Sequence, residues 1–125
     1  MNLALWILAG LLAALFLAAG ATKLLQPKAK VVETSGEWAE SYSPGAIKGI
    51  GLVEVLGALG LILPAALDIA PVLVPLAATG LALTMVGAAV THGRRTGEGQ
   101  HVAFNVVLVL LAAVVAWGRF GPYSF

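Results

Sequence analysis

The chain has 125 residues, of which 60% are hydrophobic and 10% charged, with a net charge of +1 and a mean hydropathy of +0.98. That balance lies outside the range of soluble globular domains and identifies an integral membrane protein, with no basic excess to suggest nucleic acid as a partner. Cysteine is absent, which excludes disulfides, thiolate metal sites and thiol redox chemistry, so any redox role needs a bound cofactor.

The first apolar run, Asn2 to Thr22, has no basic residue ahead of it and exceeds a secretory h-region in length, so it is expected to be a mature transmembrane helix. Gln26 to Gly45 is the one long polar connection. A short interfacial helix is expected there around Glu37 to Tyr42, with Trp38 and Tyr42 at the headgroup level and Pro44 and Gly45 opening the next span. The second span covers Ala46 to Leu63. Pro64, Asp68 and Pro71 then make a tight connection, with Asp68 as candidate cap for the third span, Pro71 to Thr91. His92 to His101, HGRRTGEGQH, is a glycine-punctuated turn before the fourth span, Val102 to Trp117.

Each run of roughly 16 to 21 residues gives a helix of about 24 to 32 Å, close to the hydrocarbon thickness of a bilayer. None shows the alternation of a barrel strand, and lipid cannot satisfy free backbone groups, so all four are expected to be helical. The expected fold is all-α, an integral membrane four-helix bundle in contact with the lipid bilayer, with residues 1–125 as one domain. Six of the seven Lys and Arg, namely Lys23, Lys28, Lys30, Lys48, Arg94 and Arg95, flank or fill the first and third connections; only Arg119 lies on the other side. The positive-inside rule predicts both of those connections in the cytoplasm and both termini outside.

Glu54 stands about eight residues inside the second span, roughly 12 Å from its start. An acidic residue near a helix centre costs about 2.5 to 3.5 kcal/mol to insert, so Glu54 is expected to face the bundle, to pair, or to be protonated. Its helical face carries Gly51, Gly57, Ala58 and Leu61, mostly small residues that allow close helix contact or space for a ligand. Lys23 closes the first span, His92 the third, and His101 opens the fourth with Asn105 one turn deeper. In an alternating bundle these ends meet, so Lys23, Glu54, His92, His101 and Asn105 are the candidate ligand-binding residues, with Glu54 and Lys23 the candidates for any catalysis.

Plainer roles stand beside these. Lys23 suits a snorkelling anchor as well as a salt-bridge partner, Glu54 a helix tie, the histidines an interface, and Asn105 an interhelical hydrogen bond. Two histidines nine residues apart across a turn do not make a metal motif, and no metal is expected. Thr79, Thr84 and Thr91 can bond their own helices. Gly10, Ala14 and Ala18, with Gly80, Thr84, Gly87 and Ala88, suit close packing or a homodimer face. HGRRTGEG has no Walker spacing and no preceding strand, which removes a nucleotide site.

The segments AAGATKLLQP (18–27), EWAESYSPG (37–45) and IKGIGLVEVLGALGLILP (47–64), the last with G-x-x-E-x-x-G at Gly51, Glu54 and Gly57, together resemble the DoxX-like family of small four-helix membrane proteins over essentially the whole chain. The resemblance implies a four-helix transmembrane bundle and marks Lys23, Glu54, His92 and Asn105 as the recurrent polar positions. It also implies a link to oxidoreductase complexes: the family takes its name from a membrane subunit linked to thiosulfate oxidation with quinone as acceptor, and other relatives look like redox partners or assembly chaperones.

Three functional expectations follow. The first is a protein of the bacterial cytoplasmic membrane whose polar pocket around Glu54 binds a lipophilic ligand such as a quinone in support of a redox partner. The second is a non-catalytic scaffold or assembly factor in which the polar cluster only fixes helix register. The third is a membrane enzyme using Glu54 for acid/base chemistry on a hydrophobic substrate.

Overall fold

The computed structural model describes residues 2–35, 39–40, 42–94 and 99–125. Five α-helices follow one another: α1 Asn2–Leu25, α2 Lys28–Ser35, α3 Pro44–Ala66, α4 Leu73–Gly93 and α5 Gly99–Phe120, with no strand among the described residues. All but α2 are long and apolar enough to cross a bilayer. The chain is an all-α, multi-pass membrane bundle. At 21 to 24 residues each long helix measures about 32 to 36 Å, so the helices outrun the apolar core and carry their polar ends into the headgroup layers.

The inward faces follow helical spacing. On α1 the buried residues are Leu5, Ala9, Leu12, Phe16, Gly20 and Lys23, and on α3 they are Ile47, Gly51, Glu54, Ala58 and Leu61, in steps of three and four. The core forms where these stripes meet those of α4 and α5, around Phe16, Leu61, Leu81, Ala112 and Val115. Outward faces remain apolar, with Leu11, Leu56, Leu83 and Leu110 each more than half exposed, as lipid contact requires.

Neighbouring helices run antiparallel in the order α1, α3, α4, α5, and α5 returns to α1. The α1–α3 contact is set by two glycines: a Cβ on Gly20 would lie 2.6 Å from the Gly51 carbonyl oxygen, and one on Gly51 2.7 Å from that of Gly20. Gly57 against Leu81 and Gly60 against Ala77 play the same part between α3 and α4. The strip Gly10, Ala14 and Ala18, by contrast, faces out of the bundle, and a Cβ on Gly10 would meet nothing within 4 Å. That strip therefore takes no part in close packing inside the chain.

The polar connection carries a helix that was not expected, α2, whose Val31 buries against Ala39 and Ile47. The short helix expected around Glu37 to Tyr42 falls half outside the described residues. Glu37, Trp38 and Arg95 lie outside the described residues. Tyr42 is half-buried, and its hydroxyl stands 2.7 Å from Thr91 Oγ1 near the end of α4. Lys48 Nζ donates to the Leu24 carbonyl at 2.8 Å, closing the C-terminal end of α1. Ser43 Oγ accepts from the Ala46 amide and Pro44 occupies the first turn, so α3 begins where its turn residues placed it. Asp68 does not cap α4. It sits in the turn at φ 53°, while α4 starts after Val72 with no side-chain cap.

Candidate ligand cavity

Glu54 lies on the inward stripe of α3, one turn after Gly51, and Lys23 lies one turn after Gly20 on α1. The glycine contact brings the two backbones together, and Lys23 Nζ comes to 2.7 Å from Glu54 Oε1. Both side chains are nearly shut off from solvent, at 11% and 3% exposure. The pair is formally neutral, which is how a carboxylate and an ammonium share a low-dielectric interior without an isolated charge.

His92 closes the inward stripe of α4 and Asn105 opens that of α5. The imidazoles of His92 and His101 stack with centroids 4.7 Å apart and planes 14° apart, His92 buried and His101 exposed. Asn105 is 7% exposed, and its Nδ2 has no hydrogen-bond partner among the described residues. A buried amide donor in that state costs about 1 to 3 kcal/mol, so a group that accepts from it is the expected complement.

All five sequence-derived candidates, Lys23, Glu54, His92, His101 and Asn105, line one cavity of about 500 Å³ between the four long helices. Its size falls within the ~300–1,000 Å³ of small-molecule sites. One end is polar, formed by these residues with Tyr42 and Thr91; the remainder is apolar, formed by Leu15, Phe16, Met85, Phe104 and Leu108 among others. Thr84 and Thr91 donate to the carbonyls of Gly80 and Gly87 on their own helix, so these hydroxyls soften the wall without requiring a ligand. Such a cavity suits an amphiphile with a hydrogen-bonding head and an apolar body. No cluster of three His, Asp or Glu side chains able to hold a metal occurs among the described residues.

Tyr42 and Phe104 were not among the cavity residues expected from the sequence. Tyr42 arrives through its hydroxyl contact with Thr91, 49 positions away, and Phe104 through the rotation of α5. The arrangement of these parts invites comparison with other proteins. A sequence model of the DoxX-like family matches residues 7–115. The chain belongs to the DoxX-like family. The match runs from the second turn of α1 to the penultimate turn of α5 and so spans every wall of the cavity of this DoxX-like protein. Comparison with curated proteins and with solved structures gives no match.

A second buried polar centre, at the opposite end of the bundle, was missed by sequence reasoning. Arg119, 4% exposed, donates through Nη1 to Asn2 Oδ1 at 2.6 Å and to the Tyr123 carbonyl at 2.9 Å, with its guanidinium 3.9 Å from the centroid of the Phe125 ring. It ties both chain ends to the bundle. A single Arg near the end of an apolar run carries no sign of partners 117 positions away.

Proposed function

We propose that this DoxX-like protein binds a lipophilic molecule with a neutral, hydrogen-bonding head, such as a quinone, in the cavity beside Glu54, and does so in support of a redox partner. The observation that carries the reading is the unpartnered, buried Asn105 amide in the wall of a cavity that is polar at one end and apolar elsewhere. Asn105 Nδ2 would donate to a carbonyl of the head. The Lys23–Glu54 pair would hold the adjoining surface polar with no net charge, which favours an uncharged head over an ionised one. A quinone supplies two-electron, two-proton chemistry when bound; the chain itself contributes binding, orientation and exclusion of water.

The cavity end of the bundle carries Lys23, Lys28, Lys30, Lys48 and Arg94, against Arg119 at the other. By the positive-inside rule that end would face the cytoplasm and the termini the outside, in the bacterial cytoplasmic membrane that this reading takes as the protein's place. A second reading, a scaffold or assembly factor, is favoured by the position of the Lys23–Glu54 pair beside the closest α1–α3 approach, where it would serve as a helix tie alone.

Native mass spectrometry of the gently solubilised protein separates the two. On the ligand reading a lipophilic molecule is released in stoichiometric amount, and the amount released falls in Asn105→Leu while the bundle stays folded. An empty wild-type chain that also fails to bind added decylubiquinone sinks the ligand reading and leaves the scaffold.

A further inference from the structure

The cavity is not closed on all sides, and the way α1 and α5 meet shows where it opens. On α5, Phe104, Leu111 and Gly118 recur at intervals of seven and share one face. Gly118, at one end of that face, touches α1 so closely that a Cβ there would lie 2.6 Å from Leu5 Cδ1. One residue on, Arg119 holds Asn2, so the N-terminal end of α1 and the C-terminal end of α5 are bound together. Phe104, two intervals earlier on the same face, lines the cavity and is 53% exposed. On α1, Leu15 also lines the cavity and is 39% exposed.

The two helices thus touch at one end, and towards the other both present exposed residues that line the cavity. On other sides Gly20 and Gly51 join α1 to α3 beside the cavity, and the Tyr42–Thr91 contact bridges the start of α3 to α4 next to the exposed Gly87. Leu15 lies ten residues from the end of α1, about 15 Å along the helix, and Phe104 five residues from the start of α5, about 7.5 Å, so the gap runs from the edge of the headgroup layer to the depth of acyl chains.

We propose that the cavity loads sideways from the bilayer: a mouth flanked by Leu15 and Phe104 admits a long-tailed amphiphile, whose head reaches Asn105 while its tail remains among the lipid chains. The inference rests on the reading of this cavity as a ligand site and adds the route and the shape of what enters. A ligand bound in this way needs no water-soluble form. Its tail can exceed the cavity in length, since the surplus stays outside between α1 and α5. The Arg119 clasp holds the far ends of α1 and α5 together, so opening the mouth requires no break in the bundle there.

The test is photolabelling of the protein in nanodiscs containing a phosphatidylcholine with a mid-chain diazirine, followed by peptide mapping. Adducts are expected on Met85 and Leu108, which are buried from the outer surface and line the cavity, as well as on the outward residues Leu83 and Leu110. Leu15→Trp, which fills the mouth, removes the adducts on Met85 and Leu108 and leaves the outward ones; Leu56→Trp, on the lipid face of α3, leaves both sets. Adducts confined to outward residues overturn the proposal, and so do inner adducts that survive Leu15→Trp. Addition of decylubiquinone is expected to abolish the inner adducts. Inner adducts that resist it, yet vanish in Leu15→Trp, support sideways access and overturn the quinone reading alone.

Discussion

Lys23 Nζ and Glu54 Oε1 meet at 2.7 Å just where Gly20 and Gly51 bring α1 and α3 into backbone contact. The pair depends on that contact, because a wider helix separation would leave the carboxylate facing apolar neighbours. Removing one member alone leaves the other without its counter-charge, at a cost of about 3–5 kcal/mol for a well-buried pair. Lys23→Met is therefore expected to lower the unfolding midpoint in nanodiscs sharply, and Lys23→Met with Glu54→Leu to recover most of the loss. A double variant as unstable as the single one would show that the pair is not coupled.

The glycine contact itself makes a sharper forecast. Gly51→Ala places a methyl group 2.7 Å from a backbone oxygen and 2.8 Å from Lys23 Cβ, so the helices must move apart, which costs about 1–3 kcal/mol. Gly10→Ala meets nothing within 4 Å and gains helix propensity of about 0.8–1.0 kcal/mol by host–guest scales. Thermal unfolding in one detergent should therefore move in opposite directions for the two variants. Equal shifts would mean that the α1–α3 approach is looser than the structure shows.

These contrasts mark what was legible in the sequence. Spans could be found because their apolar runs match the bilayer, and the polar residues near their ends could be expected to converge because short turns force the helices to alternate. Rotation about each helix axis was much less legible. Lipid asks for apolar residues outside as the core does inside, so Leu12 and Leu11 look alike in sequence, though the first is buried and the second exposed. For the same reason Gly10, Ala14 and Ala18 looked like a packing strip while Gly20, which makes the contact, was passed over. Where a charge broke the uniformity, as at Glu54, the inward face could be read. The position of α2 and the partners of Arg119 depend on contacts distant in sequence, and no local pattern signals them.

Asn105 gives a prediction with opposite signs in two assays. Its unpartnered amide is a burden on the empty protein, and replacing both its polar atoms by a hydrocarbon of similar size relieves the unmet hydrogen bond. Asn105→Leu is expected to raise the thermal midpoint of ligand-free protein and to weaken decylubiquinone binding by about tenfold, the equivalent of one hydrogen bond of ~1.4 kcal/mol. Loss of stability together with unchanged binding would place Asn105 in an interhelical hydrogen bond and remove it from the site.

At the far end of the bundle, Arg119 binds Asn2 through its side chain and backbone, binds the Tyr123 carbonyl, and stacks beneath Phe125, which itself meets Trp6 edge-on at 5.5 Å. A lysine could keep the charge but not the planar fork that reaches Asn2 and Tyr123 together, so Arg119→Lys should behave as a loss rather than as a conservative change. Phe125→Ala removes only the cation–π and edge contacts, worth about 0.5–2 kcal/mol. Limited proteolysis of reconstituted protein should show the ends released in the order wild type, Phe125→Ala, Arg119→Lys, from slowest to fastest. Because Leu5 against Gly118 is fixed by packing one turn away, decylubiquinone binding should fall less than the clasp loosens. If Arg119→Lys instead abolished binding while its ends stayed protected, the clasp would not be the fixed end of α1 and α5, and the mouth at Leu15 and Phe104 would need another hinge.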